Sequence, residues 1–173
     1  MQTDVVLAAF RPRVVATSSP HATQPSAITN ESIVKAKFSI DDCKVILLPK
    51  IADPRGNLTF IEGDRHIPFA IQRVYYLYDV PGGAERGGHA HKDLHQLIVA
   101  MSGSFDVVLD NGAEKKRFHL NRSYCGLYVC PMIWRAIDNF SSGSVCMVLA
   151  SNRYEEDDYY RDYSEYVEAL SRT

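Results

Sequence analysis

Two histidines stand two residues apart in Arg86-Gly87-Gly88-His89-Ala90-His91, and His95-Gln96 follows before a run rich in Val, Ile and Leu. In an extended strand, residues i and i+2 project to the same face. His89 and His91 therefore enter together whatever cavity that face lines. Imidazole both ligates metals and titrates near neutrality. The pair points either to a divalent ion or to proton transfer.

The element that holds them belongs to a β-rich domain. Residues 43–48, 58–61, 73–80, 95–101, 104–109, 115–120, 126–130 and 145–150 are short β-branched or aromatic runs that read as strands. Asp110-Asn111-Gly112 is a tight-turn signal, because Asn-Gly accepts the positive φ that hairpin turns demand. Gly82-Gly83 and Ser141-Ser142-Gly143 mark further turns. Many strands at this spacing predict an all-β sandwich or barrel. At the C-terminal end, Tyr159, Tyr163, Tyr166 and Leu170 recur at helical spacing and predict a short helix lying on the barrel. The acidic run Glu155 to Asp158 reads as the solvated start of that helix, where carboxylates favour the dipole.

The 173 residues fit one compact domain. Residues 1–36 include a small, polar, proline-bearing stretch without periodicity and read as a flexible extension or linker; the domain spans 37–173. A formal charge of −2 gives no reason to expect nucleic acid or an anionic membrane as partner. No apolar run approaches the roughly 18 residues of a membrane span. No basic region precedes the apolar patch at residues 5–10, as a signal peptide requires. Cys43, Cys125, Cys130 and Cys146 form no CxxC pair and read as reduced, buried thiols of a cytoplasmic protein.

Gly83, His89-Ala90-His91, Gln96 and Gly103 follow one another with a spacing that resembles the first motif of the cupin superfamily. The resemblance implies a jelly-roll β-barrel whose motif carries two histidines and a glutamate as metal ligands. Gln96 stands where that glutamate would be. The second motif supplies Pro131 but no histidine, and Arg135 lies close by. A divalent ion wants imidazoles and carboxylates converging on it. A neutral amide and a permanent cation argue instead for a site without metal or other cofactor. His95 and His119 are the imidazoles through which a metal reading would return. His119 alone reads as a strand-surface residue, and His21 and His66 read as solvent-exposed.

A closer resemblance covers most of residues 43–166. Asp53-Pro54-Arg55-Gly56-Asn57-Leu58, Ile67-Pro68-Phe69, Arg73-Val74-Tyr75-Tyr76, the histidine segment, Gly126-Leu127-Tyr128-Val129 and Val148-Leu149-Ala150-Ser151 resemble the dTDP-4-keto-6-deoxyglucose 3,4-ketoisomerases, the WxcM-like cupins. The tail from Tyr154 to Arg161 fits the same family. The resemblance implies a metal-free homodimer making a dTDP-3-keto-6-deoxyhexose for amination and acylation, as in O-antigen or S-layer glycan assembly. It implies His89 as the base. His91 on the same face then shuttles a hydroxyl proton or stabilises the enediolate, and Tyr75 and Gln96 are oxyanion donors. Arg86, Arg73 and Arg55 are candidates for the diphosphate, with Arg55 reaching it from the neighbouring subunit. Trp134 is a candidate to stack on thymine or sugar, and Arg135 to orient substrate.

Three other readings compete. A dTDP-sugar 3,5-epimerase is also a metal-free cupin, but its paired His-Asp base is not evident in the sequence. A metal-dependent cupin and a non-catalytic sugar-nucleotide-binding cupin complete the set.

Overall fold

β-Branched and aromatic runs separated by Gly, Asn, Asp and Ser become antiparallel strands in the computed structural model, which describes residues 38–172. The expected extension at residues 1–36 lies outside the described residues. In chain order the strands are β1 (Lys44–Leu47), β2 (Lys50–Asp53), β3 (Gly56–Thr59), β4 (Arg73–Leu77), β5 (Arg86–His91) and β6 (Gln96–Ser102). Then come β7 (Phe105–Asp110), β8 (Lys115–Leu120), β9 (Cys125–Val129), β10 (Trp134–Asp138), β11 (Val145–Ala150) and β12 (Tyr159–Tyr160), before helix α1 (Tyr163–Ser171).

One sheet has the order β1-β9-β6-β11-β4 and the other β12-β5-β10-β7-β8; β2 and β3 form a separate hairpin. The two five-stranded sheets make a jelly roll, as expected, although their hydrogen bonding does not run continuously around a closed barrel. Register decides which side chains meet inside. In the first sheet Tyr75, Val148, Ile98 and Leu127 align in one row, and Arg73, Ala150, Gln96 and Val129 in the next. In the second, Arg135 stands opposite both His89 and Leu109. Ile98, Val107, Leu109, Leu127 and Val148 are at most 1% exposed. Each such aliphatic side chain stabilises the fold by roughly 2 kcal/mol relative to exposure.

The structure differs from the sequence reading in three places. β10 was not expected, because Arg135 at a buried position breaks the apolar pattern of a core strand; its burial nevertheless alternates between half-buried and buried. β2 was also missed, since its four residues are all exposed. Finally, the helix begins at Tyr163 rather than Tyr159. Tyr159 and Tyr160 pair with His91 and Ala90 of β5, so tertiary pairing overrides the helical spacing. The acidic run therefore starts no helix: Glu156–Asp158 is a 3-10 turn leading into β12. The true N-cap is Asp162, whose carboxylate accepts the Ser164 and Glu165 N–H groups. Tyr166 anchors α1 to the sheet, its hydroxyl shared between the Asp110 and Met132 carbonyls.

Candidate active site

The histidine strand is re-aimed just before it reaches the interior. Arg135 pairs with His89 but Ala136 pairs with Gly87, leaving Gly88 as the extra residue of a β-bulge. Gly87 and Gly88 have φ of 87° and 68°, values that L side chains adopt at a cost. A Cβ on Gly87 would also sit 2.9 Å from the Arg135 carbonyl oxygen. The glycine pair thus both permits the bulge and lets β5 approach β10.

Beyond the bulge, directly paired residues share a face, which brings His89 and Arg135 together. Arg135 Nη2 donates to His89 Nε2 at 2.6 Å, and Nη1 to the His89 carbonyl at 3.3 Å. Arg135 is only 3% exposed. Burial lowers its pKa, and the Tyr75 hydroxyl opposes that, but a guanidinium stays charged. Burial first, and then this cation, lowers the His89 pKa to about 3, against a hydrogen bond to the Gly87 backbone that pulls upward. At neutral pH His89 is an unprotonated imidazole.

His91 lies deeper, 2% exposed, with its ring edge-on to that of His89 at 5.1 Å between centroids. Its Nδ1 is 2.7 Å from Asp158 Oδ2. Asp158 Oδ1 accepts the Asp93 N–H. Burial pushes the His91 pKa well down, with Arg135 adding to it, and burial raises that of Asp158. Tyr159 packs on both imidazoles, 4.2 Å from the His91 centroid and 5.0 Å from that of His89.

The facing sheet supplies the opposite wall. Gln96 Nε2 donates to the Tyr75 hydroxyl at 2.8 Å, which leaves the phenolic proton free to be given elsewhere. Burial raises the Tyr75 pKa, keeping it a neutral donor. Arg73 lies over the Tyr75 and Tyr154 rings. Between the walls is a cavity of about 350 Å3 lined by Tyr75, Ile98, Arg86, His89, Arg135 and Arg161 among others. Arg86 and Arg161 line it as two further cations.

Other residues singled out in the sequence fall elsewhere. Trp134 is next to Arg135 on β10 and so faces the opposite way. It packs edge-on against Tyr163 of α1 at 5.1 Å and lies outside the cavity. Arg55 sits beyond β2 at the tip of the hairpin, 90% exposed and paired with Asp53. His119 pairs with Asp106 on the outer side of the second sheet. His66, expected in solvent, is instead half-buried and accepts the Glu62 N–H. Cys43 and Cys130 meet as buried thiols 3.5 Å apart. Among the described residues no cluster of three His, Cys, Asp or Glu side chains is arranged to hold a metal ion.

Asp158, Tyr159 and Arg161 are the site residues that sequence reasoning missed. The family comparison covers them. The family model described as FdtA: WxcM-like, C-terminal matches residues 41–171. The chain belongs to this family. A curated TDP-4-oxo-6-deoxy-alpha-D-glucose-3,4-oxoisomerase of Aneurinibacillus thermoaerophilus is 45% identical over 129 residues, 75% of this chain and 93% of that protein. The 3,4-ketoisomerase QdtA of Thermoanaerobacterium thermosaccharolyticum, solved as a mutant in complex with TDP-4-keto-6-deoxyglucose, is 40% identical with a TM-score of 0.75, over 78% of this chain and 97% of that one. The WlaRB TDP-quinovose 3,4-ketoisomerase of Campylobacter jejuni is 42% identical with a TM-score of 0.72, over 75% of this chain and 99% of that one. The WxcM-like resemblance read from the histidine segment and its flanks is therefore correct, and the chain is an enzyme of the isomerase class.

Proposed function

We propose that this WxcM-like protein is a 3,4-ketoisomerase that converts dTDP-4-keto-6-deoxy-D-glucose to a dTDP-3-keto-6-deoxyhexose. One observation carries the reading: two unprotonated imidazoles, His89 and His91, stand side by side, and His89 lines a cavity with the Tyr75 hydroxyl and the Arg86, Arg135 and Arg161 cations against a single carboxylate, Glu85. The C3 hydrogen is acidic because C4 is a ketone. A base must remove it, donors must hold the oxyanion that forms at O4, and protons must be returned to C4 and O4.

His89 takes the C3 proton. In the free enzyme its Nε2 is occupied by Arg135. A bound 4-keto oxygen competes for that guanidinium, so substrate entry frees the base and stabilises the enediolate in one exchange. Tyr75, held by Gln96, donates to the same developing charge. His91 takes the O3 proton as the C3 ketone forms and delivers it to O4. The C3 hydrogen, or one from solvent, is delivered to C4. Atoms and charge balance with no external oxidant. Arg86 and Arg161 at the cavity, with Arg73 behind Tyr75, suit a diphosphate of about two negative charges.

The exposed hairpin supports a homodimer in which Arg55 reaches the neighbouring subunit's nucleotide. Ile51 and Leu58 on it are 56% and 55% exposed, an apolar surface suited to a partner. Sedimentation at micromolar concentration is expected to give a dimer, and a monomer there would refute this part. Four unpaired thiols agree with a cytoplasmic setting, where the product feeds cell-surface glycan assembly.

The His91–Asp158 pair is the one feature that favours a 3,5-epimerase. Incubation with dTDP-4-keto-6-deoxyglucose in D2O, followed by proton NMR, separates the readings. The isomerase loses the C3 proton signal and accumulates a 3-keto product. Exchange at both C3 and C5 without a 3-keto product would overturn it in favour of the epimerase. Bound nucleotide without any exchange would make the protein a non-catalytic binder.

A further inference from the structure

His91 and Asp158 come from segments far apart in the chain, joined by the pairing of β12 with β5. The carboxylate contacts only the Nδ1 side of the ring. On the other side, Nε2 is buried and has no hydrogen-bond partner among the described residues. A buried polar atom left without a partner costs on the order of 1–3 kcal/mol, so its persistence on a ring in contact with His89, which lines the cavity, marks where a ligand atom belongs. The charged side chains that act most on the ring are the cations Arg135, Arg73 and Arg161, with His89 and the Tyr159 ring in contact.

We infer that Asp158 is a positioning residue that holds His91 as the Nδ1–H tautomer, so that Nε2 offers a lone pair to the substrate hydroxyl beside the ketone. The inference rests on the isomerase reading and deepens it. The Nδ1–H donates to Asp158 Oδ2. Nε2 then accepts the O3 proton as the C3 carbonyl forms, and the imidazolium, paired with the carboxylate, passes that proton to O4. The bond broken is O3–H and the bond formed is O4–H. His91 and Asp158 end in the states in which they began. Without the carboxylate, the ring has no reason to keep its proton on Nδ1 and presents a donor where an acceptor is needed.

The test separates two proton transfers. Of the two histidines only His89 is needed to exchange the C3 hydrogen with solvent, whereas a 3-keto product also needs transfer from O3 to O4. In Asp158→Asn, the side-chain amide donates to Nδ1 and favours the Nε2–H tautomer. C3 deuterium uptake in D2O is expected to stay within a few-fold of the unmodified enzyme, while product formation falls about 100-fold. Asp158→Glu is expected to recover part of the product rate. Nitrogen-15 NMR of the unmodified protein should show His91 protonated at Nδ1, and of Asp158→Asn at Nε2. An equal fall in exchange and product formation would overturn the inference, as would an Nε2–H His91 in the unmodified protein. The tautomer is read without substrate, so it decides the matter even if the variant does not fold. An unmodified enzyme that makes no 3-keto product would instead overturn the isomerase reading.

Discussion

Arg135 Nη2 lies 2.6 Å from His89 Nε2, across a directly opposed residue pair of β10 and β5. A permanent cation thus donates to the nitrogen assigned to take a proton. The arrangement weakens the base in the empty enzyme and yields it when an anionic oxygen claims the guanidinium.

Arg135→Met should therefore raise the His89 pKa from about 3 toward the ordinary imidazole value near 6.5. It should also slow isomerisation by roughly 100-fold or more, through loss of an oxyanion donor. Imidazole NMR titration of both proteins reads the first effect. An unmoved His89 resonance would show that burial alone sets the value.

Stability should fall on the acid side. The folded-state pKa of His89 lies below the unfolded one, and that of His91 is displaced in the same direction. Between pH 6.5 and about 3 the unfolded chain therefore binds protons that the folded chain refuses. Each imidazole then costs up to about 1.4 kcal/mol per pH unit across that window. Above pH 7 neither contributes a slope. Urea unfolding at pH 7 and pH 5 measures the loss, and His89→Asn should reduce it by about half.

The bulge glycines should not be equivalent. Gly87→Ala brings a Cβ to 2.9 Å from the Arg135 carbonyl, whereas a Cβ on Gly88 meets nothing within 4 Å. Gly88→Ala should cost about 1 kcal/mol for backbone conformation alone, and Gly87→Ala about 2–3 kcal/mol with loss of activity. Equal thermal shifts would contradict the close approach of β5 to β10.

Trp134→Phe should leave KM for the sugar nucleotide unchanged while destabilising the fold by roughly 1–2 kcal/mol, because the indole supports α1. Quenching of the tryptophan fluorescence by added dTDP would place the ring at the ligand after all.

These contrasts show what the sequence makes legible. His89 and His91 were readable because a period of two needs only local extension, and the family motifs around them are dense. Trp134 and Arg135 were both assigned to substrate, yet adjacent strand residues face opposite ways. Once Arg135 is placed inside, Trp134 has to be outside. Asp158 was hidden for a different reason. Glu155 to Asp158 followed by tyrosines at helical spacing matches a helix start locally, and only the non-local pairing of Tyr159 with His91 turns the segment into a strand. Arg55 is legible as a motif residue, but its hairpin is hydrogen-bonded into neither five-stranded sheet, so no strand register fixes where it works.

The pairing of β12 with β5 also has a temporal consequence. Asp158, Tyr159 and Arg161 are synthesised after every other strand of the two sheets. A chain leaving the ribosome can assemble the jelly roll and place His89 opposite Arg135 while His91 still lacks its carboxylate. Competence thus arrives last, when the final strand docks, and the chemistry reports completion of the fold.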